Sequence, residues 1–335
     1  MPLTISNTVY AGEVISVFLT KAVAKNLSVR KRILAVEAGI KKQKEVPTID
    51  VSDMVQPRVD EPDRTKHSGS IAVDARFLKP QDMMFLVDFN PAKFEAHWFN
   101  TQLGKYLLDE ELPMTAENAI TQYLMEKGGE QLDKHIWQAV YQPSVIATVK
   151  TSGWTGITDR KIFFNGFLPR FLADPNVIKV PTPVALSKAN IFDKFEAIKA
   201  LVPVAIKENP NLKYLCNEKT IDLYESAQQG QNYKGANITD AGKRTFGGKE
   251  IVVISGIPDD TIVAGVFTDD LESNIWFGVN EVDEQDYIKL DKWTNAGENW
   301  FMKSLFKIDV NYAFPDQIVV YTTWEMPAGV TFTAY

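Results

Sequence analysis

Val29-Arg-Lys-Arg-Ile-Leu-Ala-Val-Glu-Ala-Gly-Ile40, Ser70-Ile-Ala-Val-Asp-Ala-Arg-Phe77 and Met83-Met-Phe-Leu-Val-Asp-Phe89 decide how this chain is read. Each mixes apolar and charged residues in a way that suits a strand. Between the first and second lie Lys41–Asp50 and Gln56–Gly69, polar and carrying prolines at 47, 57 and 62. That middle is neither helix nor central strand, because proline lacks the N–H both require. The whole stretch from Leu27 to Asp88 is an arm too short to bury a core of its own. A two-stranded ribbon with a charged tip is marginal alone in water. It becomes stable when it lies across another surface, and a second copy of the chain is the expected one.

The chain has 335 residues, enough for two domains or for one large domain with excursions. Apolar content of 45% and charged content of 24% are those of a soluble globular protein. No apolar stretch approaches the length of a membrane helix, so no membrane partner is expected. Residues 1–10 lack the basic start and apolar middle of a signal peptide. Cys216 is the only cysteine, which rules out an internal disulfide and suits a reducing compartment. A net charge of −7 argues against a dedicated reader of nucleic acid. Positive residues gather toward the front at Lys21, Lys25, Arg30, Lys31, Arg32, Lys41, Lys42 and Lys44. They read as a solvated basic face that meets an acidic neighbouring subunit.

Ala11, Val14, Ile15, Phe18, Leu19, Ala22 and Val23 recur at helix-stripe spacing, which predicts an amphipathic helix over 11–25. A long helix is expected from Thr115 to Tyr141, capped by Thr115 and closed by Pro143. Gly128-Gly129 in its middle predicts a bend or a close approach by another part of the chain. Residues 144–186 read as strand and loop. Further helices follow Ser187 and Asn217, with strands at 213–216, 251–254, 261–264, 300–310 and 317–323. Pro315 predicts a turn between the last two.

The chemistry of an enzyme is missing. Three histidines (His67, His97, His135) and one cysteine do not make an ordinary zinc site. His135 reads as a packed or interfacial side chain. Gly242–Glu250 faintly resembles a phosphate loop but has Glu250 where a metal-binding hydroxyl belongs. There is no nucleophile elbow and no dinucleotide fingerprint. The acidic run Glu281–Asp286 lacks the spacing and central glycine of a calcium loop. No catalytic residue, cofactor or metal is expected.

The order of these parts resembles the major capsid proteins of tailed bacteriophages and the related encapsulin shells. Tyr214-Leu-Cys-Asn-Glu-Lys-Thr-Ile-Asp-Leu-Tyr224 looks like that family's strand-then-helix in its axial domain. Phe246-Gly-Gly-Lys-Glu-Ile-Val-Val-Ile-Ser-Gly-Ile-Pro258 resembles its glycine-strand-proline segment, and Phe306–Thr323 is similar to its final strands. The resemblance implies an α+β fold with an N-terminal arm at 1–28 and an extended two-stranded loop at 29–88. A peripheral domain with a long spine helix is implied at 89–150 and 299–335, and an axial domain at 151–298.

It further implies a structural protein that self-assembles into an icosahedral head enclosing double-stranded DNA. An encapsulin-like compartment and a soluble α/β enzyme with a hidden site stay open as alternatives. The implied partners are copies of itself in pentamers and hexamers, a separate scaffolding protein, a portal, and DNA packaged by non-specific proximity. The implied location is the virion, after assembly in the bacterial host cytoplasm. Some relatives join a loop lysine to a neighbour's asparagine, for which Lys41, Lys42, Lys44 and Asn311 are the right residue types. Expected subunit contacts are the stripe of Val14 and Phe18 and the basic Lys41, Lys42 and Lys44. The basic residues would lie over Asp109, Glu110 and Glu111 of the next copy.

Overall fold

Leu212–Cys216 (β7) alternates its side chains between two cores, and the rest of its sheet follows that alternation. The computed structural model describes residues 8–10, 27–52, 55–58, 60, 69–90, 113–229, 244–280, 288–293 and 299–334. In the sheet around β7 the partners are β6 (Ile178–Lys179), β8 (Thr245–Phe246), β9 (Lys249–Val253), β10 (Thr261–Val266) and β14 (Val319–Thr322). Their order is β6-β14-β10-β7-β9-β8. Tyr214, Cys216, Ile251, Ile262, Ala264 and Tyr321 point to one face. There they pack on helices α5 (Ile191–Leu201) and α7 (Glu218–Gln229) through Phe195, Ile198, Ile221 and Tyr224. Leu215, Val252, Val263 and Val320 point to the other face and enter a second core. A sheet covered on both faces needs near-continuous apolar strands, and all six residues of β10 are buried.

The second core joins this sheet to another. Trp300–Tyr312 (β13) is the spine of that other sheet, with Phe306, Ile308, Val310 and Tyr312 facing inward. One edge of β13 pairs with β5 (Gln81–Phe89). Its opposite edge pairs with β12 (Ile288–Lys292) and then β11 (Ile275–Asn280). Beyond them lie β1 (Thr8–Tyr10) against β12 and β2 (Ala35–Glu37) parallel to β11. Helix α2 (Pro113–Gln138) inserts Leu132, Ile136 and Trp137 into the shared core. Phe167, Leu168 and Phe171 of α4 (Phe167–Ala173) enter it beside them.

The long helix forms where the periodicity predicts, and Gly128 explains itself by a close approach. A Cβ there would lie 3.2 Å from the Phe85 ring of β5. Pro143 does not close this helix but opens the next, α3 (Pro143–Ser152), at whose first turn the missing N–H costs nothing. Residues 144–186 therefore contain two helices and only the two-residue β6. Val145, Ile146, Thr148, Val149 and Thr151 read as strand because β-branched residues favour strands. Asn217 does cap α7, its Oδ1 accepting from Thr220 N at 2.9 Å.

The two closing strands are joined by the expected proline turn, Pro315–Gln317, yet they do not pair with each other. β13 ends in one sheet and β14 enters the other, with Val319 opposite Ala264 and Thr322 opposite Thr261. Val319, Val320 and Tyr321 are all buried, and only the sheet covered on both faces can accept such a run. The 11–25 helix lies outside the described residues. No helix among the described residues is long and apolar enough to cross a membrane.

Candidate assembly interface

One element leaves this double core. β3 (Lys44–Ser52) and β4 (Ser70–Leu78) pair antiparallel from Lys44 opposite Leu78 to Ser52 opposite Ser70, and form a sheet of their own. The ribbon expected from the sequence is therefore present, but its first strand is 44–52 rather than 29–40. Ile33, Leu34 and Ala35 are buried in the body, and 35–37 joins a body sheet as β2. Pro47 is tolerated because both strands of a two-stranded ribbon are edges.

The root of the ribbon is fixed by packing and charge. Val46 and Leu78 are buried with Ala35, Ile40, Trp276 and Ala313. Asn311 Nδ2 donates to Phe77 O at 2.8 Å. Lys79 N donates to Asp309 Oδ2 at 2.8 Å, and Arg170 Nη2 pairs with Asp309 Oδ1 at 2.9 Å. Asp309 is 1% exposed, so that guanidinium and that amide are what make its burial affordable. Beside it, Arg76 Nη2 and Tyr312 Oη both donate to Asp174 Oδ2, at 2.8 and 2.7 Å. The Arg76 guanidinium also lies 4.3 Å from the Tyr312 ring centroid. Burial pushes the Asp174 carboxyl upward, but hydrogen bonds from Arg76, Tyr312 and the Asn176 N–H outweigh it and hold it below the usual carboxylate range.

Away from the root, burial stops. Ile71 is 66% exposed and Val55, past the end of β3, 96%. The ribbon is thus anchored at one end and carries an apolar side chain into solvent at the other.

The predicted contact residues divide. Lys41 and Lys42 are exposed at the entry to β3. Lys44 pairs with Glu37 of its own chain, which shares the basic face with an internal acid. Val14, Phe18, Asp109, Glu110 and Glu111 lie outside the described residues, as does the acidic run 281–286. Asn311 is buried, with its amide donating to Phe77 and its Oδ1 accepting from Tyr312 N at 2.9 Å. It cannot meet a neighbour's lysine from there, and the cross-linking expectation loses its acceptor.

Sequence reading missed the root pairs, whose members stand 98 and 139 residues apart. It also missed Asp133 on α2. This buried carboxylate accepts from Ser28 N and Oγ (3.2 and 2.5 Å), Ser255 Oγ (3.0 Å) and Gly256 N (2.7 Å). Trp137 Nε1 donates to Ser28 Oγ at 3.0 Å, so α1 (Leu27–Arg30), the long helix and the turn before β10 meet at one point. Burial pushes the Asp133 carboxyl up, and its four donors offset only part of the shift. The available signal was an acid four residues before a tryptophan on the inward side of the helix.

His135 stacks on Phe163 with ring centroids 6.3 Å apart; burial and the nearby Lys161 lower its pKa to about 4, leaving it neutral. Burial pushes the Cys216 thiol up to about 12. Among the described residues no group of three His, Cys, Asp or Glu is arranged to hold a metal ion.

No family model matches the chain, and no curated protein matches it. Solved structures do. A chain of the satellite phage P4 procapsid including size determination (Sid) protein aligns at TM-score 0.57 and 10% identity, covering 94% of this chain and 92% of that one. The capsid of Myoviridae phage XM1 aligns at TM-score 0.49 and 10% identity, covering 96% and 95%. The virus-like particle from Pyrococcus furiosus aligns at 0.47 and 13% identity, covering 92% and 98%. The first of these alignments covers nearly the whole of both chains, and by it the chain has the mixed α+β fold of phage major capsid proteins.

Proposed function

We propose that this chain is the structural subunit of a phage head, not an enzyme, and that copies of it close into an icosahedral shell around double-stranded DNA. The observation that carries the reading is the ribbon: anchored by Arg76, Asp174, Asp309 and Arg170 at its root, and apolar at Ile71 beyond the body. Each copy lends its ribbon to a neighbour and receives another, so weak contacts add up through effective concentration. Contacts between unlike patches of identical subunits close into rings, here pentamers and hexamers. In this reading α2 and the sheet of β13 form the peripheral domain, and the sheet of β7 with α5 and α7 forms the axial domain. A separate scaffolding protein and a portal complete the assembly, which takes place in the bacterial host cytoplasm and ends in the virion.

The test is electron microscopy and analytical ultracentrifugation of the purified full chain beside a variant whose residues 45–77 are replaced by a short Gly-Ser turn. Closed shells or capsomers from the full chain, and only monomers or small oligomers from the shortened one, are expected. A full chain that stays monomeric at all concentrations, with or without its scaffolding protein, would overturn the proposal. Nuclease-protected DNA inside particles from infected cells separates a phage head from an encapsulin-like compartment, which would hold cargo protein instead.

A further inference from the structure

Two exposed stretches of opposite charge lie side by side on one subunit. Leu27–Val36 contains Arg30, Lys31 and Arg32 and no acid, and these three cations are exposed where α1 ends. Phe267–Ser273, between β10 and β11, contains Asp269, Asp270 and Glu272 and no base. Its acids are exposed around Leu271, itself 79% exposed. The fold fixes the two stretches against each other: Arg32 Nε lies 3.6 Å from Asp269 Oδ2, and Ser273 Oγ donates to Ile33 O at 3.3 Å.

Both stretches are held in shape. Ser273 is buried, and its Oγ accepts from Thr268 N (3.3 Å) and Ile275 N (3.4 Å). Its own N–H donates to Asp270 O at 3.0 Å, and Arg32 N donates to Val29 O at 2.9 Å to close α1. Only the charges at the seam are matched within the subunit. Beyond Arg32 and Asp269, none of Arg30, Lys31, Asp270 and Glu272 forms an ion pair among the described residues.

That layout selects a partner. A patch of one sign suits any surface of the other sign. Two adjacent patches of opposite sign are complementary to themselves, because a two-fold axis through the seam sets each acidic turn over the other copy's basic stretch. The aliphatic stems of Arg30 and Lys31 then cover Leu271 while their charged heads reach the flanking carboxylates. Rings of five and six close through unlike patches, so a two-fold contact joins one ring to the next.

We infer that the two stretches form a two-fold contact between copies, in which Asp270, Leu271 and Glu272 of each subunit lie over Arg30 and Lys31 of the other. This rests on the reading of the chain as a shell subunit.

Charge reversal in two separate variants of the full chain tests it. One, Arg30→Glu with Lys31→Glu, puts acids on both stretches; the other, Asp270→Lys with Glu272→Lys, puts cations on both. All four positions are exposed, so each dissociated variant should keep the parent's urea-unfolding midpoint. At low ionic strength the assembled fraction should fall several-fold for either variant alone and recover when the two are mixed in equal amounts, because the mixture again sets opposite signs across the axis. An ion pair within one subunit is not restored by adding another protein, so recovery on mixing reports a contact between copies. The single reversals Lys31→Glu and Glu272→Lys repeat the mixing experiment if a double variant loses stability. Variants that assemble like the parent would overturn the two-fold contact and leave the shell reading standing. So would a mixture that assembles no better than its components. A parent chain that never assembles would overturn both.

Discussion

The sheet of β7 and the ribbon of β3 and β4 are both built from alternating strands, yet one is finished and the other is not. In the first, β7, β9, β10 and β14 send alternate side chains into two cores, and Phe195 alone meets Tyr214, Tyr224 and Phe246 with ring centroids 5.1–5.6 Å apart. In the second, Val46 and Leu78 are buried at the root while Ile71 stands in solvent. The stability of the first is internal. The ribbon holds only a small part of its stability within the subunit, and in the proposed shell the remainder comes from contact with a neighbour. That difference turns a folded monomer into a subunit with something to offer its neighbour.

The contrast breaks most easily in the core. Phe195→Ala removes a fully buried ring and leaves a cavity among three other aromatic side chains, at a cost of about 3–5 kcal/mol. Ile71→Ser on the ribbon should leave the isolated subunit within about 0.5 kcal/mol of the parent. Urea unfolding of both variants as dissociated subunits checks this. A comparable loss for Ile71→Ser would mean the ribbon is part of the subunit's own fold, and the comparison would fail.

A smaller effect, with a pH signature, sharpens it at the root. Asp174→Asn weakens the bonds from Arg76 and Tyr312 and should lower the subunit's stability at pH 7 by about 1–2 kcal/mol. Because the folded carboxyl sits below its ordinary value, its contribution is fully present above about pH 3.9 and fades as pH falls through the folded value. Parent and variant should therefore converge in acid, as thermal melts across pH will record. Asp133 works in the opposite sense: its pKa is displaced upward, so its contribution is present below about 3.9 and is lost as pH rises through the folded value.

What the sequence disclosed divides along the same line. Period and punctuation placed the long helix, the cap at Asn217, the strands at 213–216 and 261–264 and the existence of a ribbon, because each is a local pattern. The ribbon's first strand was misplaced because Pro47 argues against a strand at 44–52, whereas an edge strand tolerates it, and the apolar run at 33–35 belongs to the buried body instead. Helix α3 was hidden by its β-branched residues, and Pro143 was read as an end when it serves as a beginning. The pairing of β13 and β14 with different sheets was invisible, since no local signal says which sheet a strand joins. The root was likewise out of reach: Arg170 and Asp309 become partners only when the fold brings them together.

The smallest expected effect concerns charge near the ribbon's entry. Lys41 and Lys42 are exposed, and Lys44 pairs with Glu37 within the same chain. A Lys44→Glu change would therefore set two acids side by side inside the subunit and confuse a folding defect with an assembly defect. The informative variant is Lys41→Glu with Lys42→Glu. A chain of net charge −7 repels its copies, and this change makes it −11, since each replacement removes a positive charge and adds a negative one. Exposed pairs contribute only about 0–1 kcal/mol each and are screened by salt. Repeated at every subunit, even that amount should raise the protein concentration at which shells appear at low ionic strength, with recovery as salt is added. Light scattering against concentration at several ionic strengths measures it, and thresholds equal to the parent's throughout would make the two lysines a solvated face rather than part of the contact.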